Sequence, residues 1–263
     1  MIHQVSYQTR LDWAGQHLQS LEAEVRRWQN GSPCRVWTEF DLQSGNNLLW
    51  AEVVRQPPHS IGMIIGDCLH NLRSALDNLA YELALAYQKG PISRSMAGDS
   101  GFPIFLTDDA DSAKKLKRMI RGIHPDAKTL IKGLQPYNRW GENDTLWALR
   151  ELSNTDKHKL PHMTVVMPET LPYFTTDLSS LSAGVSAFTS YWEPLEGRAV
   201  IAEYPYPTPP YTKMYMQRPA TFTVAFGELA PDVVQGWGVR AIVRQIRDYI
   251  IRDVAPPLIR YLG

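Results

Sequence analysis

Cysteine is scarce in this chain: Cys34 and Cys68 are the only two among 263 residues. They lie far apart and outside any Cys-x-x-Cys spacing, which argues against a disulfide framework and fits reduced thiols in a cytoplasmic protein. A surplus of either charge is also missing, with 27 Lys and Arg against 27 Asp and Glu. No global field draws the chain to nucleic acid or to an anionic membrane, so polyanion binding would need a local patch. No apolar run approaches the length of a membrane span, and residues 1–10 lack the apolar core of a signal peptide.

Several reaction motifs are absent as well. There is no Gly-x-x-x-x-Gly-Lys-Ser/Thr loop, no Gly-x-Gly-x-x-Gly and no Gly-x-Ser-x-Gly elbow, which argues against P-loop, dinucleotide-binding and esterase chemistry. His-Glu-x-x-His and Glu-x-x-His are missing too, and Pro161 spoils a helical pairing of His158 with His162. Neither a metal nor another cofactor is implied.

What is present is a 44 % hydrophobic composition, ample for one packed core. The pattern predicts a single α+β domain over residues 1–263: a helical bundle with a long central helix, packed with an antiparallel sheet. Helices dominate 9–30, 59–160 and 232–260, and strands dominate 34–56 and 162–227.

Leu11, Trp13, Leu18, Leu21 and Val25 predict a first helix ended by Asn30-Gly31-Ser32-Pro33. Strand-like runs 35–40 and 48–54 flank the turn-forming Ser44-Gly45-Asn46-Asn47 and predict a hairpin. From Ser60 to Gln88 there is no proline, and the only glycines lie near the start, so one long helix is expected. Residues 89–101 read as a loop, anchored to the core by Phe102-Pro103-Ile104-Phe105. A short basic helix follows over 111–122, and another begins at Asp144, a suitable N-cap, and stops before Pro161. Strands are expected at 163–167, 184–192, 199–204 and 221–226, with the proline-rich 204–211 as a connecting loop. A helix over 233–254 closes the chain.

Two polar clusters carry the chemistry. On the long helix, Ile65, Cys68, Leu69, Leu72, Leu76, Leu79 and Leu83 make a wide apolar face. The opposite stripe holds His70, Arg73, Ser74 and Asp77, one turn apart. That stripe is too poor in charge for an ordinary solvated face, which places it toward an interior cleft. The second cluster, Asn154-Thr155-Asp156-Lys157-His158-Lys159, ends the later helix.

In the functional reading, Arg73 binds an anion, His70 or His158 moves a proton, and Asp77 and Asp156 orient them. Asn71, Ser74, Asn154 and Lys157 then contact the substrate. In the alternative, the same groups form a structural polar network that holds neighbouring elements together. Two further basic groups, Arg240/Arg244/Arg247 and Lys114/Lys115/Lys117/Arg118/Arg121, read either as solvated faces or as tracks for a phosphate backbone.

The segment Gly66-Asp67-Cys68-Leu69-His70-Asn71-Leu72-Arg73-Ser74-Ala75-Leu76-Asp77-Asn78-Leu79, followed by Phe102-Pro103-Ile104, Gln135-Pro136-Tyr137 and Leu152 to Lys159, resembles a family of uncharacterised bacterial proteins with this order of motifs. The chain is more distantly similar to the higher-eukaryote-and-prokaryote nucleotide-binding (HEPN) superfamily. These are helical bundles that include metal-independent ribonucleases of toxin and phage-defence systems.

The HEPN signature is an arginine followed after four to six residues by a histidine. Arg118 and His124 fit that spacing, seven residues lie between Arg150 and His158, and His70 precedes Arg73 in reversed order. The resemblance implies an anion-binding or phosphate-binding protein that cleaves RNA without a metal. The implied partner is RNA or a phosphorylated small molecule. The alternative is a non-enzymatic interaction module with a protein partner or a second copy of the chain.

Overall fold

The computed structural model describes residues 6–138, 144–159, 164–170, 173–176, 189–190, 194–195, 197–205, 214–218 and 220–263. They form an α+β fold of the expected kind, helices packed with antiparallel sheet. No described helix is long and apolar enough to cross a membrane.

Helix α1 (Tyr7–Asn30) starts where the Ser6 hydroxyl accepts from the Thr9 amide. Its face Leu11, Ala14, Leu18, Leu21, Val25 and Trp28 is buried, at the spacing of a one-sided amphipathic helix. Strands β1 (Cys34–Phe40) and β2 (Asn46–Val53) form the predicted hairpin. The Asp41 carboxylate accepts from the Gln43 and Ser44 amides, and Gly45 takes a left-handed φ of 72°. The hydrogen bonds at Asp41 hold its carboxyl below the ordinary carboxylate value.

Helix α2 (His59–Gln88) is the spine, 30 residues long, or about 45 Å at the usual helical rise. It runs antiparallel to α1. The Ser60 hydroxyl bonds Glu24 near one end, and the Tyr7 amide donates to Glu82 near the other. Ile61, Ile65, Leu69, Leu72, Leu76, Leu79 and Leu83 are fully buried, as the apolar face predicts.

Beyond α2, short helices wrap one side: α3 (Arg94–Asp99), α4 (Ala110–Met119) and α5 (Pro125–Gly133). Helix α6 (Asp144–Lys159) packs on α2. The expected loop 89–101 thus contains α3, capped by the Ser93 hydroxyl. Pro125 at the first position and the His124 ring as N-cap start α5, which the pattern reading had not separated.

The second half is mainly strand among its described residues: β3 (Thr164–Thr170), β4 (Tyr173–Thr176), β5 (Thr189–Ser190), β6 (Arg198–Pro205), β7 (Met214–Arg218) and β8 (Thr221–Phe226). One sheet has the order β1-β2-β6-β5, while β3 pairs with β8 and β4 with β7, all antiparallel. Strands β4 and β7 were not expected. The expected strand 184–192 is described only at β5, and residues 206–211 of the proline-rich segment lie outside the described residues.

The expected closing helix 233–254 is broken. A 3₁₀ turn at Asp232–Val234 is followed by Gly236 with a φ of 74°, and helix α7 (Val239–Tyr249) begins after Gly238. A π-turn (Ile250–Val254) then leads into α8 (Ala255–Ile259). The wider turn precedes Pro256 and Pro257, whose rings lack the N–H that a regular ladder requires. Both cysteines are free, and burial pushes their thiols up to about 12.

The full burial of the α2 apolar face gives a direct check. Leu72→Ala should lower the free energy of unfolding by about 2–5 kcal/mol in urea titration. Met63→Ala, at a position 65 % exposed on the same helix, should leave the midpoint nearly unchanged.

Candidate functional site

The polar stripe of α2 opens onto a cleft of about 650 Å³. His70, Arg73, Ser74 and Asp77 stand on one wall, Arg150, Ser153 and Asn154 of α6 on a second, and Lys115, Arg118 and Met119 of α4 on a third. Ile104 and Phe105, from the chain between α3 and α4, supply an apolar wall. The two helices expected to share a hollow therefore do so.

Arg73 and Asp77 meet across one helical turn at 3.0 Å, with side chains 26 % and 39 % exposed. They do more than pair. The Asp77 Oδ1 accepts from the Phe102 amide at 2.9 Å, and the Arg73 Nη2 donates to the Phe102 carbonyl at 2.7 Å. The pair therefore satisfies both backbone polar groups of a residue whose side chain is fully buried. Gly101 is needed beside it, because a Cβ there would lie 3.2 Å from the Asp77 carboxylate and 3.3 Å from the Met119 methyl.

Three residues further on, the Phe105 amide donates to the Gln135 side-chain oxygen at 3.0 Å. The Gln135 amide in turn donates to the Pro103 and Ile131 carbonyls. Residues 102–105 are thus a strap held at one end by α2 and at the other by the fully buried Gln135. The strap had been expected only as an apolar anchor. Gln135, which the sequence offers only within the Gln135-Pro136-Tyr137 motif, holds the far end of the strap because a polar residue lodged among apolar neighbours must find partners.

Asp77 is committed to holding Arg73 and Phe102. Arg73 uses Nε on Asp77 and Nη2 on Asp77 and Phe102, which leaves Nη1 for another acceptor. His70 is exposed at the cleft. Ser74 and Asn154, expected to touch substrate, line it, whereas Asn71 does not. Asn71 is buried against α1, with its Oδ1 accepting from Arg10 and its Nδ2 donating to the Asp67 carbonyl. Its place on the wheel is one step off the polar stripe, which explains the difference. The side chains of Asp156, Lys157 and His158 lie outside the described residues, although their backbone continues α6.

Three cations of the cleft were not nominated as a site. Arg150 pairs with the adjacent Glu151 at 3.4 Å, and Arg118 with Asp99 of α3 at 3.3 Å. Lys115 makes no ion pair among the described residues. The three-residue spacing of Lys115 and Arg118 places both on one face of α4, but only the tertiary position of that helix turns the face into a cleft wall. The HEPN-like pair Arg118/His124 is split. His124 packs between Tyr87 and Tyr261, with ring centroids 5.3 and 5.0 Å away, and its Nδ1 accepts from the Asp126 amide.

The other arginine row is spent within the fold. Arg240 bonds Glu169 at 2.6 Å, Arg244 bonds Glu22, and Arg247 lies 3.4 Å from Asp248. The first two of these contacts fasten α7 to β3 and α1. The Arg244 guanidinium is held above its ordinary value chiefly by the Glu22 hydrogen bond.

No protein-family model, curated protein or solved structure matches the chain. What the cleft does chemically is therefore argued from its own geometry. Among the described residues its walls hold Arg73, Lys115, Arg118 and Arg150 with one carboxylate, Asp77, while Asp99 and Glu151 pair with Arg118 and Arg150. Beside them the Ser153 hydroxyl oxygen is buried with no hydrogen-bond partner among the described residues.

Two outcomes test this architecture. Asp77→Ala removes the acceptor for both Arg73 and the Phe102 amide, and should destabilise the fold by about 1–3 kcal/mol in urea titration. The second concerns α4, whose N-cap is Asp109. Hydrogen bonds from the Thr107 hydroxyl and the Ser112 amide lower the Asp109 carboxyl to about 2. A lowered carboxyl supports the folded state above the unfolded value near ~4 and loses that support as pH falls toward ~2. Amide exchange in α4 should accelerate over that window, and Asp109→Asn should flatten the dependence.

Proposed function

We propose that the chain binds a phosphate-bearing anion in the cleft between α2, α4 and α6. The observation that carries this reading is the convergence of Arg73, Lys115, Arg118 and Arg150, from three helices, in a molecule whose total charge is zero. Arg73, Arg118 and Arg150 each have one carboxylate partner and Lys115 has none among the described residues, so the cleft itself favours an added anion. Its one lining carboxylate, Asp77, is already engaged by Arg73 and the Phe102 amide.

The free Nη1 of Arg73 and the guanidinium of Arg118 offer charge-assisted donors to phosphate oxygens, and Lys115 adds a mobile point charge. Ser74, Ser153 and Asn154 supply neutral hydrogen-bonding groups along the same walls. Asp77 is a positioning residue here. It fixes the guanidinium that meets the ligand while anchoring the strap that forms the apolar wall.

The HEPN-like ribonuclease of a defence or toxin system is the enzymatic version of this reading. It requires a proton carrier beside the bound phosphate, and among the described residues His70 is the histidine at the cleft. RNA incubated with EDTA should then be cut by the wild-type chain and left intact by His70→Ala. Equal background from both would leave a binding cleft without this chemistry.

Binding itself is tested by calorimetric titration with inorganic phosphate and pyrophosphate. Arg118→Glu and Lys115→Glu, both at exposed positions that no backbone group depends on, should each weaken pyrophosphate binding at least about tenfold. Arg244→Glu on α7 should leave it unchanged. Equal binding by all four proteins would remove the cleft from consideration.

A further inference from the structure

We infer that the ligand is a single-stranded polynucleotide, which enters the cleft and continues along the outer side of α4 onto α5. This inference rests on the phosphate reading of the cleft and extends it beyond the cleft walls.

The ground for it is how charge is distributed. From Ala110 to Gly133 the chain carries seven basic side chains and two acidic ones, in a protein whose total charge is zero. The two acids, Asp111 and Asp126, sit in the first turns of α4 and α5, where they complement the helix ends.

The basic residues form two adjoining rows. Lys115 and Arg118 face the cleft. Lys114 and Lys117, three residues apart, occupy the next face of the same helix, and Arg121 follows in the turn just beyond it; all three are exposed and without an ion pair among the described residues.

The row does not stop at the end of α4. The Lys128 ammonium donates to the Arg121 carbonyl at 2.8 Å, which brings α5 against the last turn of α4. Burial and the neighbouring Lys132 charge hold the Lys128 amine below its ordinary value. The contrast with α7 is informative, because all three of its arginines have carboxylate partners.

A small phosphorylated molecule would use the cleft and leave the outer row unexplained. An anionic membrane is flat and would meet the outer row, but could not reach the Arg73 guanidinium and Phe105 at the concave wall. A single strand satisfies both. Its phosphates follow the cations, and an unstacked base can lie against Phe105 and Ile104 in the cleft.

The experiment measures fluorescence-anisotropy affinities for oligouridylates from a dinucleotide to about twelve nucleotides, with inorganic phosphate titrated in parallel. Affinity should climb with length, and its salt dependence should steepen by about 0.7 in log–log slope per added phosphate. The triple variant Lys114→Glu/Lys117→Glu/Arg121→Glu should bind phosphate and the dinucleotide as the wild type does, but lose at least tenfold on the longest oligomer. Circular dichroism would verify that α4 persists in that variant.

Length-independent affinity with phosphate still bound would overturn the track and leave the cleft reading intact. So would a duplex binding as tightly as the single strand, or cosedimentation with phosphatidylserine vesicles in place of oligomer binding. Absence of phosphate and dinucleotide binding in the wild type would remove the cleft reading itself.

Discussion

Arg73 and Asp77 grip Phe102 by its N–H and its C=O, and much of what surrounds the cleft depends on that grip. The residues from Phe102 to Phe105 belong to no helix or strand, so their backbone groups have no ladder to satisfy them. Side chains of α2 do so at one end and Gln135 at the other. Because the strap passes directly between α3 and α4, fixing it also fixes where the α4 cations stand. An ion pair that would count for little on an open surface here connects a folding problem to a binding surface.

The distribution of charge follows the same division between structure and solvent. Arginines on α7 neutralise acids of α1 and β3 and thereby close the bundle. The basic residues of α4 carry almost no such duty; Arg118, paired with Asp99, is the one engaged. A balanced total charge can therefore conceal a local field. Where arginines meet carboxylates across elements, the charge belongs to the fold; where lysines crowd with few acids, it faces solvent as a local positive field.

Much of this was legible in sequence where periodicity alone decides. The apolar spacing from Ile65 to Leu83 located the spine and, by subtraction, its polar stripe. That the stripe, too uncharged for open water, faces a cleft was legible; that α6 forms another wall of it was only a hypothesis, because nothing in the local sequence encodes that contact. The role of Asp77 was half visible, because a carboxylate four residues after an arginine pairs with it. That both would clasp a peptide group 25 residues further on could not be read, since nothing local encodes it. Lys115 and Arg118 were visible as charges but not as cleft walls. Asn71 looked like part of the motif because it adjoins His70, while its angle on the helix turns it toward Arg10. The short helices α3 and α5 were lost among Ser, Gly and Pro, residues that cap helices as readily as they break them.

The two-ended fastening of the strap also bears on how a ligand is met. The strap is pinned at both ends and passes close to α2, since a Cβ at Gly101 would come within 3.2 Å of the Asp77 carboxylate. The wall is ordered when the chain folds rather than at encounter, and little conformational entropy remains to be lost on association. Any ligand of such a preformed wall would find it already in shape, its approach set by long-range attraction and diffusion.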